Sequence, residues 1–188
     1  MYNYKVNIYT STTINKFIRA TLFKKGIFMK KTILFLTTLL FMATASADDA
    51  RKTVDELKAK FIKMGEPRIE GVEKSGNIIA PVIYFGKQKI NNNFSVVDDI
   101  KKTSGAYSTV FVKDGTEFIR VSTNVLTPKG TRGVGTKLVH NKAYDAVIKG
   151  EVYCGDIDIL GNSYYTCYDP IKDKVGKVIG IYLIGFKK

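Results

Sequence analysis

The sequence predicts an α+β domain with a central antiparallel sheet, and three observations carry that prediction. Near the start of the folded part, Val54, Leu57, Phe61 and Ile62 fall on one stripe of a helical period. After it come strand patterns separated by tight turn signals such as Asp114-Gly115, which join neighbours as hairpins. The last strand, Lys177 to Phe186, is apolar on both alternating sets: Val178, Tyr182, Ile184 and Phe186 on one, Ile179, Ile181 and Leu183 on the other. A strand apolar on both faces belongs in the middle of a sheet covered on each side. One helix ahead of a hairpin-joined sheet is the α+β pattern.

The chain has 188 residues, room for one ordinary domain and a targeting segment. Its formal charge is +13, of which seven units come from Lys5, Lys16, Arg19, Lys24, Lys25, Lys30 and Lys31. No acidic residue precedes Asp48, so the remainder carries only about +6, an ordinary lysine-rich surface. From Met29 the chain reads as a secretory signal: Lys30-Lys31, an apolar run from Ile33 to Met42, then Ala45-Ser46-Ala47 as the cleavage site. The apolar run is shorter than the roughly 20 residues of a spanning helix. We therefore expect residues 1–28 to be an upstream mis-start, 29–47 a signal peptide cleaved after Ala47, and 48–188 one domain, periplasmic or secreted. Export and the modest residual charge argue against nucleic acid as a partner.

Along that domain, Thr53 to Met64 reads as the amphipathic helix, starting as early as Asp48 or capped by Thr53-x-x-Glu56, and stopped by Gly65 and Pro67. A strand is expected at Ala80–Phe85, a turn-and-strand piece through Asn91 to Asn93, and a short helix at Val96–Lys102 ended by Gly105. Tyr107–Lys113 and Glu117–Val125 form a hairpin. The glycine-rich loop LTPKGTRGVGT then leads to a helix at Lys142–Lys149 with Asn141 as N-cap. The first helix is expected on one face of the sheet, the central helices and the glycine-rich loop on the other.

Residues Glu151 to Pro170 form the most informative stretch, two β-rich arms around Gly161-Asn162. A turn from Ile159 to Asn162 sets Asp158 opposite Ser163 and Cys154 opposite Cys167. Alternation then sends Tyr153, Gly155, Tyr164, Thr166 and Tyr168 to one face and Val152, Cys154, Tyr165 and Cys167 to the other. The only two cysteines, facing each other in an exported chain, most simply form a disulfide. Buried free thiols or a redox or metal site are the alternatives. The single histidine, His140, and the lack of a C-x-x-C motif speak against a metal, and no cofactor is implied.

Several strings resemble the Cache sensor domains, in particular the Cache 3/Cache 2 fusion type of bacterial chemoreceptors and sensor kinases. They are Val97-Asp98-Asp99-Ile100 with Thr103-Ser104-Gly105, then Ser108 to Phe111, Phe118 to Val125, and Gly130 to Thr136. Ala143-Tyr144, Gly150-x-Val152-Tyr153-x-Gly155, Tyr164-x-Thr166-x-Tyr168-x-Pro170-Ile171 and Gly176 to Gly180 follow in order. The resemblance spans roughly Ala50 to Phe186. It implies a PAS-like sheet with a long amino-terminal helix, binding a small molecule, often a carboxylate or amino acid, on its membrane-distal face. Family receptors continue into a transmembrane helix and a cytoplasmic output module, whereas this sequence stops at Lys188, so a solo exported sensor is expected.

Within those strings, Arg120 and Arg132 are the candidates to hold an anionic ligand, because a guanidinium fork pairs with a carboxylate through two parallel hydrogen bonds. A solvated surface arginine is the alternative for each. Tyr144, Tyr153, Tyr164, Thr166 and Tyr168 can line the pocket or simply sit in a half-buried sheet. His140, Asp98-Asp99 and Asp156-x-Asp158 are expected at the surface, the carboxylates paired with lysine-rich surroundings. No constellation for catalysis is present. The expected function is a non-enzymatic periplasmic sensor for a small organic anion, working in chemotaxis or signal transduction with a transmembrane chemoreceptor or sensor kinase. The competing reading is an adaptor subunit of the same fold without a working pocket.

Overall fold

The computed structural model describes residues 47–188. The expected mis-start and nearly all of the signal peptide, residues 1–46, lie outside the described residues. The first helix, α1, already runs at residue 47 and continues to 62. Its buried stripe is Ala50, Val54, Leu57 and Phe61. Two expectations change here. Ile62 is 57% exposed rather than part of that stripe, and Thr53 sits buried inside the helix instead of capping it.

Beyond Gly65 the chain enters a strand that the sequence analysis did not anticipate, β1 (Pro67–Ser75), which pairs antiparallel with β2 (Ile78–Phe85). A short β3 (Gln88–Lys89) completes a three-stranded sheet in the order β1-β2-β3. The Asn91 side chain fastens the next turn: its Oδ1 accepts from Ile83 N–H at 3.0 Å and its Nδ2 donates to the Pro81 carbonyl at 2.9 Å. Helix α2 (Ser95–Ser104) follows and ends on Gly105, whose left-handed backbone lets its N–H reach the Lys101 carbonyl.

The remaining strands are β4 (Tyr107–Asp114), β5 (Glu117–Thr123), β6 (Tyr153–Ile159), β7 (Asn162–Lys172) and β8 (Val178–Lys187), with α3 (Lys142–Val147) between β5 and β6. They form a five-stranded antiparallel sheet in the order β5-β4-β8-β7-β6. Strand β8 is central, as its two apolar sets require. Hairpin connections, a central last strand and helices packed on the sheet make this the expected α+β, PAS-like architecture.

Each face of the five-stranded sheet carries its own core. On one, α1, the three-stranded sheet and Ile100 of α2 pack against Val110, Val112, Ile171, Tyr182 and Ile184. On the other, Leu138 of the β5–α3 loop and Ala143 and Val147 of α3 pack against Phe111, Phe118, Tyr164, Tyr168, Ile181 and Leu183. Helix α2 thus shares the α1 side, not the loop side where it was expected. Its apolar residues Val96 and Ile100 meet the same core as α1.

Candidate functional site

The β6–β7 hairpin takes the register read from the sequence, with Tyr153 opposite Tyr168, Cys154 opposite Cys167 and Asp158 opposite Ser163. The two cysteines are joined as a disulfide with Cα atoms 4.1 Å apart. Tyr164, Thr166 and Tyr168 consequently enter the loop-side core, fully buried, and Tyr153 stands half-buried beside them. The Tyr153 and Tyr168 rings lie 6.4 Å apart, and Tyr164 meets Tyr107 edge-on at 5.2 Å. Thr166 donates its hydroxyl to the Gly155 carbonyl at 2.7 Å.

Arg120 of β5 points to the same face, 5.0 Å above the Phe111 ring and only 4% exposed. Its Nη1 donates to Thr136 Oγ1 at 2.9 Å, and Thr136 in turn donates to the Gly133 carbonyl at 2.8 Å. Its Nε is buried without a hydrogen-bond partner, and among the described residues no carboxylate pairs with it. Burial brings its pKa down from 12.5 to about 10, a fall opposed by Tyr168 and Tyr164. Burial likewise pushes both tyrosine hydroxyls up, so they stay protonated. A small cavity of about 40 Å³ opens beside Arg120 and Tyr168, walled by Lys137, Leu138, Ile157 and Leu160. That is room for one or a few waters.

The β5–α3 loop closes this space. Arg120 N–H donates to the Thr136 carbonyl at 2.9 Å, and Gly135 N–H donates back to the Arg120 carbonyl at 2.8 Å. At Gly133 a Cβ would stand 3.0 Å from Arg120 Nη1 and 2.8 Å from a Leu160 methyl, so a larger residue here would push both side chains aside. Further along, a Cβ on Gly135 would strike the Ser75 carbonyl, and one on Gly76 would strike that of Val134. The loop and the β1–β2 turn therefore touch backbone to backbone.

Arg132 lies in a different setting from Arg120. Its two terminal nitrogens hold Asp98 of α2 at 2.7 and 2.9 Å, Nη1 also reaches the Thr123 carbonyl at 2.8 Å, and the guanidinium covers the Phe94 ring. It fastens the loop to α2. Tyr144 of α3 lies at the edge of the loop-side core, its ring edge-on to Phe118 at 6.1 Å, stacked 3.9 Å from the exposed His140 and donating to the Thr116 carbonyl at 2.8 Å. Asp99 pairs with Lys60 and Asp156 with Lys188 at the surface, as the lysine-rich composition led us to expect. Thr136 and the cavity walls Ile157 and Leu160 were missed. Thr136 stands in a quoted string, but nothing local marks its hydroxyl as the partner of an arginine 16 residues away.

A model of the Cache 3/Cache 2 fusion domain matches residues 40–188. The chain belongs to this family. Cache domains are extracellular sensor domains for small-molecule signalling; they bind small ligands, sit in receptors or kinases and are generally non-enzymatic. In this Cache domain no helix among the described residues is long and apolar enough to cross a membrane. A comparison with curated proteins finds none that matches.

Proposed function

We propose that residues 48–188 form an exported sensor domain that binds a small organic anion, a carboxylate or amino acid, against Arg120. The supporting observation is the charge of Arg120 itself, buried without a counter-ion among the described residues and with its Nε–H unpaired. Burying a guanidinium unpaired is costly, and a ligand carboxylate would relieve that cost while taking up the free donor. Thr136 and Tyr168 stand beside it to orient the ligand, with Tyr153 against Tyr168 and with Tyr164 and Thr166 buried on the same face. Arg132 contributes indirectly by holding the loop through Asp98, and Tyr144 by holding α3. Residues 29–47 would export the domain, with cleavage after Ala47, and its bound state would be read by a transmembrane chemoreceptor or sensor kinase in chemotaxis or a related signalling response.

The size of the cavity favours a second reading, an adaptor whose pocket no longer works, since about 40 Å³ is too little for more than a few atoms. On the first reading the β5–α3 loop lifts to admit the ligand. The two separate in a thermal-shift and calorimetric screen of the purified protein against organic acids and amino acids. We expect at least one anion to raise the melting temperature, and Arg120→Ala to abolish that response. Failure of every acid to stabilise the protein, with Arg120→Ala indistinguishable from wild type, would favour the adaptor.

A further inference from the structure

A larger opening lies on the other side of the five-stranded sheet, independent of the reading given to Arg120. It is a cleft of about 570 Å³ between α1 and the end of β7. One turn-spaced stripe of α1, Arg51, Asp55, Lys58 and Ile62, forms its near wall. Its floor includes Phe85 and Tyr182, whose rings are 6.0 Å apart. Asp169 stands at the far wall with its side chain 10% exposed, paired at 3.0 Å with Lys58, whose side chain is 38% exposed. Burial and the neighbouring Asp169 keep the Tyr182 hydroxyl of this floor protonated.

We propose that this cleft is a second binding site and that it takes a small zwitterion, which enters by opening the Lys58–Asp169 ion pair. The asymmetry of the pair selects the ligand's charges. A monoanion drawing Lys58 away would leave Asp169 buried with no counter-charge. A monocation would compete with Lys58 for the same oxygens and gain only one ammonium in place of another. A zwitterion avoids both outcomes: its ammonium meets Asp169 and its carboxylate meets Lys58, which has the long stem and solvent access to swing outward. The whole lining matches that demand, since Arg51, Lys58 and Lys172 are balanced by Asp55, Glu66 and Asp169. Ile62 and Val152, 57% and 38% exposed at the rim, give a short aliphatic side chain somewhere to rest.

The test uses three probes with the same four-carbon side chain on the full protein: norleucine, hexanoate, which lacks the ammonium, and pentylamine, which lacks the carboxylate. Chemical-shift mapping locates each. Norleucine is expected to move signals of Asp169 and Tyr182 with a dissociation constant in the millimolar range, at least about tenfold tighter than either half-probe. Asp169→Asn should remove the shifts and Lys58→Gln should weaken them, while the wild-type map stands even where a variant folds poorly. Shifts confined to Arg120 and Tyr168 would overturn the second site and leave the first intact. Equal binding of pentylamine or hexanoate, or no shift at Asp169 with norleucine at about 10 mM, would overturn it as well.

Discussion

Arg120 brings a positive charge into a space where a threonine hydroxyl and the face of Phe111 are its nearest compensation. With its pKa at about 10, it remains charged at neutral pH, so the free domain bears the cost of that burial. Arg120→Met should therefore raise the stability of the ligand-free domain, by about 1–3 kcal/mol in chemical denaturation, while eliminating the response to anions. The folded protein binds the Arg120 proton more weakly than the unfolded chain, so stability rises as pH climbs through 10 towards 12.5. The advantage of the Met variant should accordingly shrink in that window; an advantage constant across it would assign the effect to packing. At this scale the sequence distinguishes poorly between the two arginines. Both stand in quoted strings, yet the partner that occupies Arg132 comes from α2, 34 positions earlier, and no local pattern announces it.

The β6–β7 hairpin is the element best read in advance, because a tight turn and strand alternation fix every opposite pair at once. Its φ-positive Leu160 and Gly161 form the two-residue turn that the expected register needs. The Cys154–Cys167 bond encloses a short segment, with a sequence separation of 13. Replacing both cysteines by serine should cost about 2–3 kcal/mol in denaturation, with the register kept by the turn and by pairing to β8. Loss of the anion response in that variant, at unchanged fold, would mean that the bond also positions Tyr168. Strand β1 was illegible for the opposite reason. It is mostly exposed and is interrupted by a bulge between Ile69 and Val72, which breaks the alternation that marks a strand. Once β1 was missed, the three-stranded sheet and the place of α2 against α1 could not be inferred.

Across the whole molecule, the five-stranded sheet separates two cores with different roles. The loop-side core encloses Arg120, and the other seats α1 and the three-stranded sheet. The central placement of β8 was visible in its composition, since a strand apolar on both sides demands cover on both. What composition could not reveal is the contact that runs around the sheet rather than through it, from Gly135 and Val134 to Gly76 and Ser75. With no side chains between the two backbones there is no slack to absorb a displacement. The β5–α3 loop and the β1–β2 turn should therefore move as one body, and on the proposed function the opening that admits an anion would also tug on a layer that rests against α1. Hydrogen exchange read with and without the stabilising anion should show slowed exchange at Gly135 and at Gly76 together; slowing at Gly135 alone would mean the two are uncoupled. Such a joint makes occupancy on one side of the sheet a mechanical load on the other. Were ligand entry gated by that joint, its opening rate rather than diffusion would limit how fast the domain responds.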